Sequence, residues 1–288
     1  MSNKRTAFYK DKQFWIKFFQ YVLLLAVAAF MMFPIYWIFN NSLRTLPGIS
    51  TYPPPIFPQN PQFSNYIEVL RDSNALVYFR NTMTLIIGNT IGTLISSSIV
   101  AYPLARMDFR GRKFIFALIL STMMVPAVTT IIPQFILFRE LGWLDSLRPM
   151  IIPNFFAFPY NVFLFRQFFM TIPRSLDEAA MIEGCNRWQI FIRVAVPLAK
   201  PAFITIGVLS SVFWWNELFL PLIYVQSHDM RPLTIGALNS FRVQGTPHLI
   251  QWNLQMAMAM LMSIPPMLLY IVASKYLTEG IKATGINE

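Results

Sequence analysis

The sequence of 288 residues contains one cysteine, Cys185, and two histidines, His228 and His248. A single cysteine excludes an intramolecular disulfide and any cysteine-built zinc or iron–sulfur cluster. The two histidines share a late loop without metal-ligand spacing and read as exposed loop residues, so no metal site is expected. No Ser–His–Asp or Cys–His set can be assembled around them, which argues against an enzyme acting alone. No G-x-x-x-x-G-K-[S/T] pattern occurs, so the chain lacks a P-loop cradle for nucleotide phosphates. Charge is scarce as well: 12% of the residues are charged, against about 25% in soluble domains.

What is present is apolar. Hydrophobic residues make up 55% of the chain, in runs long enough to cross the roughly 30 Å of bilayer hydrocarbon with about 20 residues each. The runs are 18–39, 82–105, 114–138, 149–165, 201–225 and 256–274. The fourth is shorter and contains Pro153 and Pro159, the fifth is interrupted only by Glu217, and the sixth carries Pro265-Pro266. Prolines are tolerated in membrane helices where neighbours satisfy the freed carbonyls. The fold class read from this pattern is an all-α membrane protein with six transmembrane helices. The N-terminal run is too long for a cleavable signal and is expected to be an uncleaved first helix.

The formal net charge of +10 does not point to nucleic acid, because the basic residues flank the apolar runs rather than cluster on a soluble face. They set topology instead. With the N-terminus inside, inner segments hold Lys4, Arg5, Lys10, Lys12, Lys17, Arg106, Arg110, Arg112, Lys113, Arg166, Arg174, Arg187, Arg193, Lys200, Lys275 and Lys282. Outer segments hold Arg44, Arg71, Arg80, Arg139, Arg148, Arg231 and Arg242. The inner excess is more than twofold, so both termini are expected in the cytosol. The longest outer segment, 40–81, contains the proline-rich stretch 52–58, expected to be stiff and extended.

Between the fourth and fifth runs stand Glu178-Ala179-Ala180, then Gly184, then Val194-x-Val196-Pro197. Residues 176–183 read as a short helix with Ser175 as N-cap and acidic residues in its first turn. Gly184 ends it. A second helix over 187–195 follows, stopped by Pro197. This segment resembles the EAA loop of ABC-importer permeases, with Val194 and Val196 in place of the family's Ile and Leu.

Trp214-Trp215-Asn216-Glu217 lies within the fifth run. An ionisable residue at that depth, roughly 12 Å from the outer end at 1.5 Å per residue, faces protein or a water-filled path. Aromatic faces beside amide and carboxylate groups suit sugar. The alternative is a structural hydrogen bond to Asn89, Gln134 or Asn161. On one helix, Phe213, Asn216, Glu217 and Leu220 would share a stripe. Gly88-x-x-x-Gly92 reads as a close-packing site of unknown partner.

The resemblance extends along most of the chain: Tyr78-Phe79-Arg80-Asn81-Thr82, Ala101-Tyr102-Pro103-Leu104-Ala105-Arg106, Arg231-Pro232-Leu233-Thr234-Ile235-Gly236 and Gly280-Ile281-Lys282 all fit the shorter, six-helix permease subunit of maltose-type carbohydrate ABC importers, with a type I permease fold. The domains it implies are a cytosolic segment 1–17, a first helix and outer loop 18–81, a core 82–274 with the EAA loop at about 174–202, and a cytosolic tail 275–288. The resemblance implies ATPase coupling through Glu178, Ala179, Ala180, Gly184 and Pro197. It places the translocation pathway near Asn216, Glu217, Trp214, Trp215, Asn161 and Asn89, and binding-protein contact at Asn239, Ser240, Phe241, Gln244 and Gly245. Implied partners are an ATPase dimer carrying ATP and Mg, a second homologous permease, an extracytoplasmic binding protein, the sugar and membrane lipid, with no cofactor on this chain. The implied location is a bacterial or archaeal inner membrane. A permease for a non-sugar solute is the alternative. A secondary transporter is more remote, lacking an intramembrane ion site and repeated halves.

Overall fold

The computed structural model describes residues 2–71, 74–243 and 246–283, with side chains for 14–71, 74–238, 241 and 250–274. It is nearly all helical, apart from an antiparallel pair of short strands, Arg242–Val243 and Thr246–Ile250. Among the described residues, three helices are long and apolar enough to cross a membrane: Phe14–Ser42, Ala75–Arg106 and Trp252–Ser274. Two helix pairs reach that length only together. Arg112–Met124 and Ala127–Glu140 meet at 92°, and Arg187–Leu198 and Lys200–Asn216 meet at 74°. Length and composition thus give three spans, or up to five, where hydropathy alone predicts six.

Proline accounts for much of the difference. The run 114–138 is split at Val125–Pro126. Val125 is extended, as the residue before a proline prefers, and Pro126 itself cannot donate a helical hydrogen bond. The run 149–165 divides into Arg148–Ile151, the 3₁₀ turn Ile152–Phe156, and a helix Pro159–Thr171. That last helix has 13 residues, about 20 Å at 1.5 Å per residue, and is too short to span alone. The run 201–225 is also divided: Lys200–Asn216 stops at Glu217, which is extended, and Phe219–Tyr224 starts anew.

The chain forms two compact units. One comprises the residues up to Arg71 together with Phe241–Leu261. Its helix Ser2–Ser42 has an apolar window with none of its residues buried, as a lipid-facing helix requires. The segment after it folds back onto the helix end. Asn65 Nδ2 donates to the carbonyls of Ser42 (2.8 Å) and Arg44 (2.9 Å), Asn40 Nδ2 donates to Ile56 O (2.7 Å), and Arg44 donates to Pro55 O. The bond to Ser42 O takes up a carbonyl that the helix end leaves orphaned, and the bonds to Ile56 and Pro55 pin the following segment against that end.

The second unit comprises Asp72–Ser240 and the residues from Met262 onward. It is built on helix Ala75–Arg106, against which Pro159–Thr171 and Lys200–Asn216 pack. One end of its core joins Tyr102, Ala105, Phe165, Phe169, Phe191 and Ile206. The other joins Leu85, Phe138, Met150, Trp214 and Tyr224. Gly88 and Gly92 let a neighbour in closely. A Cβ at Gly88 would lie 2.9 Å from Ile151, and one at Gly92 2.7 Å from Phe155. The glycine pair's packing partner is therefore the broken segment 148–156.

Candidate functional site

The segment 174–198 is a helix–turn–helix. Its first helix runs Arg174–Ile182 with Pro173 at the N-cap, so Ser175 is not the cap. Pro173 marks the entry: with ψ at 134° it still lies outside helical geometry, as an N-cap residue does. The exit is a Schellman motif: Cys185 N donates to Ala180 O (2.9 Å), Gly184 N donates to Met181 O (3.0 Å), and Gly184 sits at φ +86°. Only glycine adopts that conformation without steric penalty. The second helix opens with a capping box, in which Asn186 accepts from Gln189 N and Gln189 accepts from Asn186 N, both at 2.8 Å. It does not stop at Pro197. A π-helical stretch, Phe191–Ala195, carries it through to Leu198, and the chain turns at Ala199. Pro197 fits inside the final turn because a π stretch has already displaced the regular ladder there.

The two faces of this element differ. Asp177 and Ala180 are buried, as are Ile190, Phe191 and Ala195. Glu178, Ala179 and Gly184 are exposed. Large apolar side chains stand beside them: Ile182 is 88% exposed and Trp188 55%. Burying those two would remove apolar surface worth about 25 cal/mol per Å².

The buried face is held by two residues outside the motif, Arg106 and Tyr102. Arg106, the last residue of Ala75–Arg106, donates from Nε to Asp177 Oδ2 at 2.9 Å, with both side chains buried. Its Nη atoms reach the carbonyls of Phe169 (3.3 Å), Ile172 and Pro173 (3.1 Å). The Tyr102 ring packs edge-on to Phe169 at 5.7 Å and against Phe191 at 5.0 Å. Nothing local in the sequence marks Arg106 and Asp177 as a pair. The available signal was an arginine closing an apolar run and an aspartate directly before Glu178.

At the other end of the unit, Glu217 occupies the helix break. Its Oε1 accepts from Leu220 N (2.9 Å), capping Phe219–Tyr224, and its carbonyl accepts from Thr234 Oγ1 (2.8 Å). Leu220 therefore does not share a helical stripe with Phe213 and Asn216, and the expected partners Asn89, Gln134 and Asn161 do not hold Glu217. Asn89 is fully buried and donates to Leu85 O, while Gln134 donates to Thr130. Asn161 is partly buried. Asn216 is exposed and donates to Val212 O (2.8 Å). Trp214 and Trp215 are both buried.

Two further sequence motifs interlock beside this break. Asn81 Nδ2 donates to the carbonyls of Asp229 (2.7 Å) and Arg231 (3.1 Å). Leu233 N donates to Thr82 Oγ1 (2.9 Å), and a Cβ at Gly236 would meet the Tyr78 ring at 2.2 Å. Two segments about 150 residues apart thus close on each other through main-chain contacts that require Asn81, Thr82 and Gly236.

Of the residues expected to meet a binding protein, Asn239 and Ser240 end the helix Leu233–Ser240, Phe241 is buried, and Gln244 and Gly245 lie outside the described residues.

The model of a family described as binding-protein-dependent transport system inner membrane component matches residues 88–283. Among characterised proteins, the chain is 31% identical over 274 residues to the arabinooligosaccharides transport system permease protein of Bacillus subtilis, covering 92% of this chain and 94% of that one. It is 29% identical over 257 residues to the sulfoquinovosyl glycerol transport system permease protein of Agrobacterium fabrum, covering 89% of each. Among solved structures, it resembles a chain of a bacterial ABC transporter involved in import of the acidic polysaccharide alginate. The TM-score is 0.80 at 29% identity, covering 89% of this chain and 94% of that one.

Proposed function

The chain belongs to the binding-protein-dependent transport system inner membrane components, and from that premise we propose that it moves a sugar or oligosaccharide handed over by an extracytoplasmic binding protein. It is a non-catalytic permease subunit of an ABC importer, and hydrolysis of ATP belongs to a separate subunit. Carbohydrate cargo is supported by the systems named for arabinooligosaccharides, sulfoquinovosyl glycerol and alginate to which the chain is similar.

The observation that carries the coupling role is the glycine-stopped helix–turn–helix, which presents Glu178, Ile182 and Trp188 outward. A compact knob with exposed apolar residues and a carboxylate fits a cleft on another protein. In this reading an ATPase dimer, carrying ATP and Mg, seats the knob through its exposed residues Glu178, Ala179, Gly184 and Pro197, while Ala180 is buried on the opposite face and acts only by packing. The basic-residue asymmetry supports a cytosolic knob and cytosolic termini. A second, homologous permease completes the pathway. Asn216 and Glu217, at the broken helix, line it, with Trp214, Trp215, Asn89 and Asn161 behind them. Irregular backbone at membrane depth is tolerated where it is enclosed by protein or borders water. In this reading the binding protein contacts the stretch of chain that carries Asn239, Ser240, Gln244 and Gly245.

Reconstitution of the chain with its ATPase and permease partners tests this reading. Hydrolysis is measured with and without the cognate binding protein, loaded in turn with arabinooligosaccharides, alginate oligosaccharides and amino acids. Stimulation by a sugar-loaded binding protein is expected, and stimulation by amino acids alone overturns the sugar assignment. Single-cysteine labelling in a Cys185→Ser background checks the orientation. Position 52 should label from outside and position 110 from inside, and the reverse pattern contradicts the topology.

A further inference from the structure

We propose that Arg106 is the positioning residue that makes the coupling knob and helix Ala75–Arg106 move as one body, so that displacement of the knob reaches the translocation core. This inference rests on the permease reading above and names the device through which it acts.

Adjacent residues of the knob face opposite ways. Glu178 is exposed, whereas Asp177 is buried against Arg106. The guanidinium does more than pair with that carboxylate. It also donates to Phe169 and Ile172, at the end of helix Pro159–Thr171, and to Pro173, the N-cap of the knob's first helix. One planar group therefore joins the last residue of the core helix, the end of its neighbour and the start of the knob. A guanidinium suits this task because its donors form a rigid fork, which a lysine point charge cannot reproduce.

A second, exposed contact repeats the pairing with the charges exchanged. Asp108, two residues beyond Arg106, lies 3.8 Å from Arg174 of the knob and 2.7 Å from Arg112. The order of charges on the core side, Arg106 then Asp108, matches Asp177 and Arg174 on the knob. Sliding one element along the other would place like charges together and strip a buried arginine of its acceptors. One turn back, Tyr102 wedges between Phe169 and Phe191 and so engages the knob's second helix as well. The joint resists shear and transmits rather than absorbs motion.

The test uses the reconstituted complex with Arg106→Lys and with Asp177→Asn. The first keeps the charge and loses the fork, and the second keeps the shape and loses the charge. Co-purified ATPase reports assembly. The ratio of hydrolysis with binding protein, loaded with the sugar identified by the assay above, to hydrolysis without it reports coupling. The expected result is assembly and unstimulated hydrolysis near wild type, with the stimulated ratio and sugar uptake down tenfold or more. A purely structural pair lowers yield but leaves the ratio of the assembled fraction unchanged, which overturns the proposal. Failure of both variants to assemble also overturns it. A wild-type complex that shows no stimulation removes instead the permease reading on which the inference rests.

Discussion

The indole N–H of Trp215 donates to the carbonyl of Met262 at 3.0 Å. Met262 lies four residues before Pro266, in a helix that contains both Pro265 and Pro266. Pro266 has no N–H to offer that carbonyl. Trp215, from helix Lys200–Asn216, supplies the donor that the proline removes. In this way one of the two adjacent prolines is accommodated inside a membrane helix.

Trp215→Phe should therefore lower the thermal stability of the purified permease by about 1–3 kcal/mol, the range for a buried acceptor left unsatisfied. Combining it with Pro266→Ala, which returns a helical donor, should recover most of that loss. Additive losses in thermal unfolding of the two single variants and the double would contradict this account of the bond.

Gly236 and Gly207 should respond oppositely to alanine. A Cβ at Gly236 would lie 2.2 Å from the ring of Tyr78, which is buried and cannot swing away. At Gly207 the nearest atoms, on Leu94 and Thr90, are 3.7 Å away, an ordinary contact. Gly236→Ala is expected to cost about 3 kcal/mol or more through overpacking. Gly207→Ala should be neutral or gain up to about 1 kcal/mol in helix propensity. Melting curves of the two variants side by side decide the matter.

Asp145 ties its own loop to the one beginning at Gln226. Its Oδ1 accepts from Ser227 N (2.8 Å), Gln226 N (2.9 Å) and Ser227 Oγ (3.0 Å). The backbone N–H groups of Ser227 and then Gln226 hold its carboxyl below the ordinary value of 3.8. A depressed carboxylate stabilises the fold above its unfolded pKa, and that contribution is lost as pH falls through the native pKa. Asp145→Asn tolerates the positive φ of +54° and still accepts hydrogen bonds, but carries no charge. The variant should melt below wild type at neutral pH. The gap should close as pH drops beneath 3.8, and a gap independent of pH would contradict the assignment.

Glu217 offers a clean separation of shape from charge. Glu217→Gln keeps an acceptor for Leu220 N, so the cap on Phe219–Tyr224 survives and uptake should change less than threefold. Glu217→Ala removes the cap and the carboxylate together, and if Glu217 lines the pathway as proposed, uptake should fall about tenfold with normal assembly. Unchanged uptake in Glu217→Ala would remove this residue from the pathway and leave the subunit as scaffold and coupler.

Much of this was legible in the sequence because it is written in residue types that permit few alternatives. Gly184 marks a helix stop, and an apolar run without charge marks a membrane segment. Glycines four apart mark a close approach, although only the fold reveals the partner as Ile151 and Phe155. What stayed hidden depends on tertiary context. Hydropathy cannot see that Val125–Pro126 turns a run through 92° or that Glu217 ends a helix to cap the next. The pairing of Arg106 with Asp177 spans 71 positions. No local pattern announces it, since a basic residue at the end of an apolar run reads first as a topology signal.

The central claim is that the helix–turn–helix around Gly184 couples this permease to its ATPase. Gly184→Val in the reconstituted complex tests it most directly. An added Cβ would meet nothing within 4 Å, but φ there is +86°. The substitution therefore strains the turn, by roughly 1–2 kcal/mol, without crowding the core. The account predicts normal membrane insertion, with loss of co-purified ATPase or at least a tenfold fall in binding-protein-stimulated hydrolysis. Assembly and stimulated hydrolysis at wild-type levels would contradict it.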